Sequence, residues 1–544
     1  MHESGGRDVR SRSRGAAEIL PDEQAGRRSR AGDMSSACGV TAAGGTDPAL
    51  DSAQCDPSDI FFQDWDVVII GGGILGAMTA WKLSRYELRI LVIDRAYDVG
   101  EGAAKANSGI LYPGFQPRGG SLKGISCVRG SEMYDQICCD LDIPMKRVGS
   151  LYVTFHEDGD KEMMKKYRRG LENGTPGMEI ISGAEARRME PLLSKKVRQA
   201  LYAPTTGIIS PFSLIVSLSE AAAQNGVRFL FDCEARDIRL PQGGGPIQID
   251  TSQGTLSTAY LVNTAGENAA EMERFVRKQE LVIRPRRGQF YVFDKQAPEI
   301  LRHVIYQAQE SDEGGTLIAP TVEGNIIAGP TSENVRFYEN TDTTREGLAH
   351  VERVAKKILP ELDMGRVITN FAGIRANITN VDKEHKDFVV RRSGPGMISA
   401  LGIKNPGMTS APYLAEHMIC LLREDGLATK KKENFRPQLK RQKPFLQSSP
   451  EEQRALFEED PRCARVICRC EGVTEGDIIR ALRSPIPPKS LNGFKKRLRT
   501  GMGRCQGAFC TSRILEIVCR ETGRRPEEFL KSTKGSGLVK GRLK

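Results

Sequence analysis

The chain has 544 residues, 39% of them hydrophobic and 27% charged. At about 100–200 residues per domain this implies two to four folded domains and excludes disorder throughout. The net charge of +10 is uneven: residues 430–544 carry 28 Lys+Arg against 13 Asp+Glu, or +15, which leaves −5 on residues 1–429. Thirteen cysteines in 544 residues are too sparse and too odd in number for a disulfide scaffold. No apolar run reaches the roughly 18 residues of a membrane span. The longest candidate, Val67 to Ala80, is broken by four glycines. The expectation is a soluble cytoplasmic protein, with peripheral membrane docking left open.

Residues 1–63 are rich in Ser, Gly, Ala and Arg without helical or strand periodicity, and are predicted to be a disordered extension. Seven arginines lie between Arg7 and Arg30, but Glu3, Asp8, Glu18, Asp22 and Glu23 are mixed among them. Transit peptides are poor in acidic residues, so organelle targeting is disfavoured. Order is expected from Asp66, with a strand at Val67–Ile70, a glycine turn, a helix over Ala77–Leu83 and a second strand ending at Asp94. Strands and helices then alternate: Ser150–Phe155, the helix Leu214–Asn225, and strands Ala235–Leu240 and Pro246–Thr251 about a glycine hairpin. A strand at Tyr260–Asn263 leads into a small-residue turn at Ala265 and Gly266. Further strands are read at Gln289–Phe293 and Thr316–Ile318, a helix at Thr344–Ile358, a strand at Met397–Leu401 and a helix at Thr409–Leu422. The domain boundaries predicted are 64–429, a basic linker at 430–460, a cysteine module at 461–527 and a basic tail at 528–544.

Gly71-x-Gly73-x-x-Gly76 follows a strand and opens a helix, and Asp94 stands 18 positions on, at the end of the next strand. Glycines there permit the tight turn and let a pyrophosphate approach backbone N–H groups at the helix N-terminus, while the acid accepts from ribose hydroxyls. In that context the motif predicts a dinucleotide site. Two observations favour FAD over NAD. The nucleotide domain is resumed downstream at Asn263–Gly266 and at Gly402–Thr409, before a helix whose N-terminus suits a negatively charged reduced flavin. No second such fingerprint exists for a nicotinamide partner.

Cys468-x-Cys470 and Cys505-x4-Cys510 are separated by 34 residues. Thiolates suit zinc, copper(I) or iron–sulfur clusters. Structural zinc favours C-x(2–4)-C knuckles, so the tight C-x-C half points to [2Fe–2S], with zinc and free buried thiols as alternatives. Arg469, Arg504, Gly501 and Gly503 would stabilise a negative cluster. A flavin accepts two electrons and a cluster passes one, so the two constellations together describe a protein that oxidises something and hands the electrons on.

Residues Val68–Gly76, Ala106–Ile110, Gly120–Lys123, Phe371–Arg375 and Pro406–Pro412 resemble the FAD-dependent family of glycerol-3-phosphate dehydrogenases, 2-hydroxyglutarate oxidases and D-amino acid oxidases. Residues 463–525 resemble the bacterioferritin-associated ferredoxin-like [2Fe–2S] domain. The resemblance implies an α/β fold: a Rossmann-like FAD-binding domain with an inserted α+β substrate domain, plus a small C-terminal helical [2Fe–2S] domain. It implies Gly71, Gly73, Gly76, Asp94, Asn107, Ser108, Ala265, Gly266, Gly402, Gly407, Met408 and Thr409 at FAD, and Cys468, Cys470, Cys505 and Cys510 at the cluster. Arg375 matches the arginine for the substrate's anionic group, where a fork of donors suits carboxylate or phosphate. Relatives often carry a histidine where Tyr112 stands here, which removes the expected general base. His303 is the next candidate, with Tyr112 orienting substrate.

The implied activity is oxidation of glycerol 3-phosphate, with a 2-hydroxy acid such as 2-hydroxyglutarate as the second candidate, an amine or amino acid as the third, and a non-catalytic flavin/iron–sulfur electron carrier as the alternative class. Electrons would leave to an acceptor protein or quinone system. Lys495-Lys496-Arg497-x-Arg499 lacks interleaved aromatics beyond Phe494, so nucleic-acid binding is not expected. The basic C-terminal region is expected to dock an acidic acceptor or an anionic membrane surface.

Overall fold

Val67–Ile70 is a run of β-branched residues with no polar face, a pattern for a strand buried on both sides. In the computed structural model, Asp64–Ile70 is indeed the middle of a parallel array, with Ile69 opposite Val92 of Ile90–Asp94 on one side and Val262 of Thr255–Asn263 on the other. The structure describes residues 57–278, 280–295, 301–308, 315–379, 386–439, 441 and 443–541. Most of the extension predicted for residues 1–63 lies outside them. Its last residues are ordered: Pro57–Ile60 forms a 3-10 turn, and Trp65 Nε1 donates to Ile60 O at 3.1 Å.

The first sheet runs, among the described residues, from the antiparallel strands Ala235–Arg239 and Ile247–Thr251 through Thr255–Asn263, Asp64–Ile70 and Ile90–Asp94 to Arg228–Phe231. Met397–Leu401 pairs in parallel with Thr255–Asn263, so the chain returns to the nucleotide domain after a long excursion, as the sequence predicts. Helices Ile74–Leu83, Pro211–Gln224, Leu122–Asp140 and Gly407–Glu424 bury the apolar face of this sheet. Nothing in the sequence marks Leu122–Asp140 as a helix, since its polar and apolar residues follow no clean stripe. Gly130 explains its seat: a Cβ there would strike Thr409 O, so the helix lies directly against the start of Gly407–Glu424.

The excursion forms a second sheet. Its longest pairing is antiparallel, Val282–Phe293 with Val367–Thr379. Phe290 stacks on Phe371 at 4.9 Å across this pair. The strand Val367–Thr379 was not anticipated, although it carries Arg375.

Two C-terminal segments pack onto the fold. Described residues of the basic linker expected at 430–460 are tied down. Lys432 Nζ donates to Asn225 O, Arg436 N to Asn225 Oδ1 at 2.9 Å and Leu439 N to Asp140 O at 3.0 Å, so the segment straps the first domain; Pro450–Glu459 is a helix with a Ser449/Glu452 capping box. The described part of the basic tail expected at 528–544 is packed as well. Phe529 is fully buried, and Leu530 bridges both Ser490 and Gly537. No helix of the described residues is long and apolar enough to cross a membrane.

Candidate active site

The glycine turn and the resumed segments meet at one cavity of about 1500 Å³. That exceeds the roughly 300–1,000 Å³ of a pocket for one small molecule. At the nucleotide end Gly71 has φ +103° and no room for a Cβ, which would lie 2.6 Å from Thr264 O. A Cβ on Gly76 would overlap Gly71 O, whereas one on Gly73 would meet nothing within 4 Å. The first and third glycines are therefore packing requirements, and the second leaves open space where a pyrophosphate can approach backbone. Asp94 Oδ2 accepts from Gly72 N at 2.7 Å and Oδ1 from Ala96 N at 2.8 Å, so the carboxylate is fixed and each oxygen retains a lone pair for a ribose hydroxyl. Burial raises its pKa, opposed by those two N–H donors. Asn263 accepts from Ala265 N and donates to Ser399, which sets the turn bearing Ala265 and Gly266.

At the far end, Asn107 Oδ1 accepts from Gly109 N at 2.8 Å, fixing the loop that carries Ser108. Thr409 Oγ1 accepts from Tyr112 N at 3.0 Å. Pro406, the N-cap of Gly407–Glu424, provides no side-chain cap, and Gly407, Met408 and Thr409 at that N-terminus line the cavity. Gly402 turns the chain into this segment with φ +67°. Tyr112 is buried, hydrogen-bonded to Ser108 and Asn405, and its pKa is raised by desolvation, so it stands as a neutral phenol.

Arg375 is buried in the same wall. It donates to Thr331 O at 3.0 Å and Ser332 Oγ at 3.4 Å, and no carboxylate is among these partners. Its strand position lies directly opposite Arg286, which also lines the cavity. Burial lowers the Arg375 pKa to about 10; Tyr112 opposes that shift and Arg286 adds to it. Like charges facing each other across a strand pair are unfavourable. Sequence reasoning missed Arg286, because nothing local marks it. The signal is the 89-position separation closed only by strand pairing.

His303 does not belong to this group. It is absent from the cavity wall; its Nδ1 lies 3.2 Å from buried Glu190 Oε2, which also accepts from the Arg302 and His303 N–H groups, and its ring meets Tyr202 edge-on. Those contacts hold the ring between Glu190 and Tyr202, apart from the cavity wall on which Tyr112 and Arg375 meet.

The four cysteines come together as thiol pairs. Cys470 Sγ and Cys505 Sγ are 3.5 Å apart, and Cys468 is hydrogen-bonded to Cys510. Backbone N–H groups of Glu471 and Gly501 bond Cys468, and those of Gly507 and Phe509 bond Cys505. Gly503 is required for closeness, since a Cβ there would strike Cys470. The geometry is of two thiol pairs ringed by N–H donors.

A family model described as FAD dependent oxidoreductase matches residues 66–421, and one described as BFD-like [2Fe-2S] binding domain matches residues 466–520. The chain belongs to the FAD dependent oxidoreductase family. As a FAD dependent oxidoreductase with a fused BFD-like domain, it takes FAD and a [2Fe–2S] cluster as cofactors. The cradle at Gly73, the fixed Asp94 and the uncapped helix N-terminus fit FAD, and the paired thiols with their N–H donors fit the cluster. Among relatives, the glycerol 3-phosphate dehydrogenase of Caloramator mitchellensis is 37% identical over 482 residues, covering 88% of this chain and 99% of that one. The glycerol 3-phosphate oxidase of Mycoplasma genitalium is 26% identical, covering 69% and 98%. Among solved structures, the dithionite-reduced L-alpha-glycerophosphate oxidase of Mycoplasma pneumoniae with FAD bound has a TM-score of 0.66 at 23% identity, covering 70% and 100%, a likeness of fold.

Proposed function

We propose that the protein is a glycerol-3-phosphate dehydrogenase, forming dihydroxyacetone phosphate and passing electrons through its cluster module to an acceptor protein or quinone system. The observation that carries this reading is Arg375, a buried guanidinium on the cavity wall with Arg286 opposite it in strand register and lining the same cavity: cations at that wall suit a dianionic phosphate. The 37% identity to the Caloramator mitchellensis glycerol 3-phosphate dehydrogenase across both modules supports the same reading. When bound, FAD supplies the two-electron acceptor for the substrate C–H, and the cluster a one-electron exit.

In this proposal Arg375, held by Thr331 and Ser332, binds the phosphate with Arg286. Tyr112 remains protonated, so it orients the substrate hydroxyl by hydrogen bonding and does not take its proton. Gly71, Gly73, Gly76, Asp94, Ala265 and Gly266 would hold the nucleotide; Asn107, Ser108, Gly402, Gly407, Met408 and Thr409 would border the flavin.

Anaerobic addition of glycerol 3-phosphate to the oxidised protein is expected to bleach the flavin absorbance, while glycerol leaves it unchanged and 2-hydroxyglutarate acts weakly. An unbleached flavin with glycerol 3-phosphate would sink the proposal.

A further inference from the structure

The basic run in the helix Leu491–Leu498 faces inward. Lys496 Nζ donates to Glu101 Oε1 at 2.7 Å and to Val99 O at 2.6 Å, and lies 3.2 Å from Asp98 Oδ2. Arg497 grips Asp98 through two bonds, at 2.7 and 3.0 Å. All four side chains are at most 7% exposed. Ion pairs this deeply buried hold geometry tightly, because losing one partner strands the other charge away from water.

The segment they hold is part of the FAD site. Gly100 N donates to Gly72 O at 2.9 Å, inside the glycine turn. Glu101 lines the cavity and binds Lys105 at 3.2 Å, one residue before Ala106, Asn107 and Ser108. The cluster module also sends its tail there: Asn492 N donates to Lys531 O at 3.0 Å, and Thr533 lines the cavity. One helix of the cluster module thus braces a loop that touches both the pyrophosphate turn and the flavin-bordering segment.

We infer that Lys496 and Arg497 are positioning residues for FAD, acting through the Asp98–Lys105 loop, and that FAD binding and cluster-module docking are energetically coupled. Such coupling is reciprocal: docking tightens FAD, and FAD secures the docked helix. It is independent of which substrate the enzyme oxidises.

The test uses the full chain with its cluster intact, as judged by the visible spectrum, after reversible removal of FAD. FAD titration is expected to show at least tenfold weaker binding in Lys496→Met than in the parent, with Lys496→Arg within about threefold of it, since a charge at that place restores the bond. Arg525→Ala, at an exposed pair elsewhere in the module, is the control and should bind FAD normally. A Lys496→Met protein that keeps its cluster and binds FAD with parental affinity overturns the inference. The unmodified protein gives a second reading: FAD should increase hydrogen-exchange protection of residues 491–498, and unchanged protection likewise overturns it.

Discussion

Arg375 is a buried cation placed opposite another cation, and both facts disfavour folding. Its lowered pKa means that between about 10 and the ordinary arginine range the unfolded chain holds more protons than the folded one. Stability therefore gains from this group only as pH climbs through that window, and at neutral pH its full penalty is present. Replacing it with an apolar chain of similar reach, Arg375→Met, is accordingly expected to raise the melting temperature of the substrate-free protein. The same change should lower kcat/KM for glycerol 3-phosphate by about 30-fold to 1,000-fold, roughly 2–4 kcal/mol, because a desolvated charge pair is lost. The flavin spectrum should be unaltered. In the unmodified enzyme KM should rise as pH passes about 10, where the guanidinium loses its proton. The phosphate stays dianionic there, so nothing on the substrate compensates. A melting temperature that falls together with activity would mean that Arg375 is structural.

The strand pair behind Arg375 depends on a glycine. A Cβ on Gly288 would lie 2.7 Å from Arg375 Nη2 and 2.8 Å from Pro330 Cβ, so the guanidinium occupies the place of an absent side chain. Gly288→Ala is expected to raise KM severalfold to tenfold by pushing Arg375 aside, with the protein still folded and FAD still bound; steady-state kinetics beside a flavin spectrum checks both halves. An unchanged KM would show that the arginine tolerates displacement. At this scale the legibility of the chain also becomes clear. The nucleotide fingerprint was readable because strand, turn, helix and acid all fall between residues 64 and 94, where local rules apply. The BFD-like module was readable for the same reason, its cysteines lying two and five positions apart within each half. Arg286, Gly288 and the strand Val367–Thr379 were not, because their meaning arises only when distant segments pair. His303 shows the same limit: its chemistry suits a base, but its partner Glu190 stands 113 positions away and is found only in the fold.

Across the whole molecule, the concentrated positive charge proves to have two destinations. Part of it closes the chain on itself. Lys496 and Arg497 join Asp98 and Glu101, Arg499 reaches Glu323 at 3.3 Å, Arg504 reaches Asp294 at 2.5 Å, and in the strap Lys430 meets Glu87 at 2.8 Å. Another part is outward: Arg469, between Cys468 and Cys470, and Arg513, one helical turn after Cys510, are both exposed, and Phe509 between them in sequence is 77% exposed. Aromatic and arginine side chains together are the usual anchors of a protein interface. Cys470 and Cys505 are the less buried of the four thiols, and we propose this edge as the exit for electrons. An acidic one-electron acceptor protein should therefore be reduced faster at low salt, and the double charge reversal Arg469→Glu with Arg513→Glu should slow that reduction by about tenfold or more through the association rate. Reduction of a small uncharged dye should keep its rate in the same variant, since flavin reduction and the internal ion pairs are untouched. Equal rates with the protein acceptor at all ionic strengths would move the electron exit away from this edge.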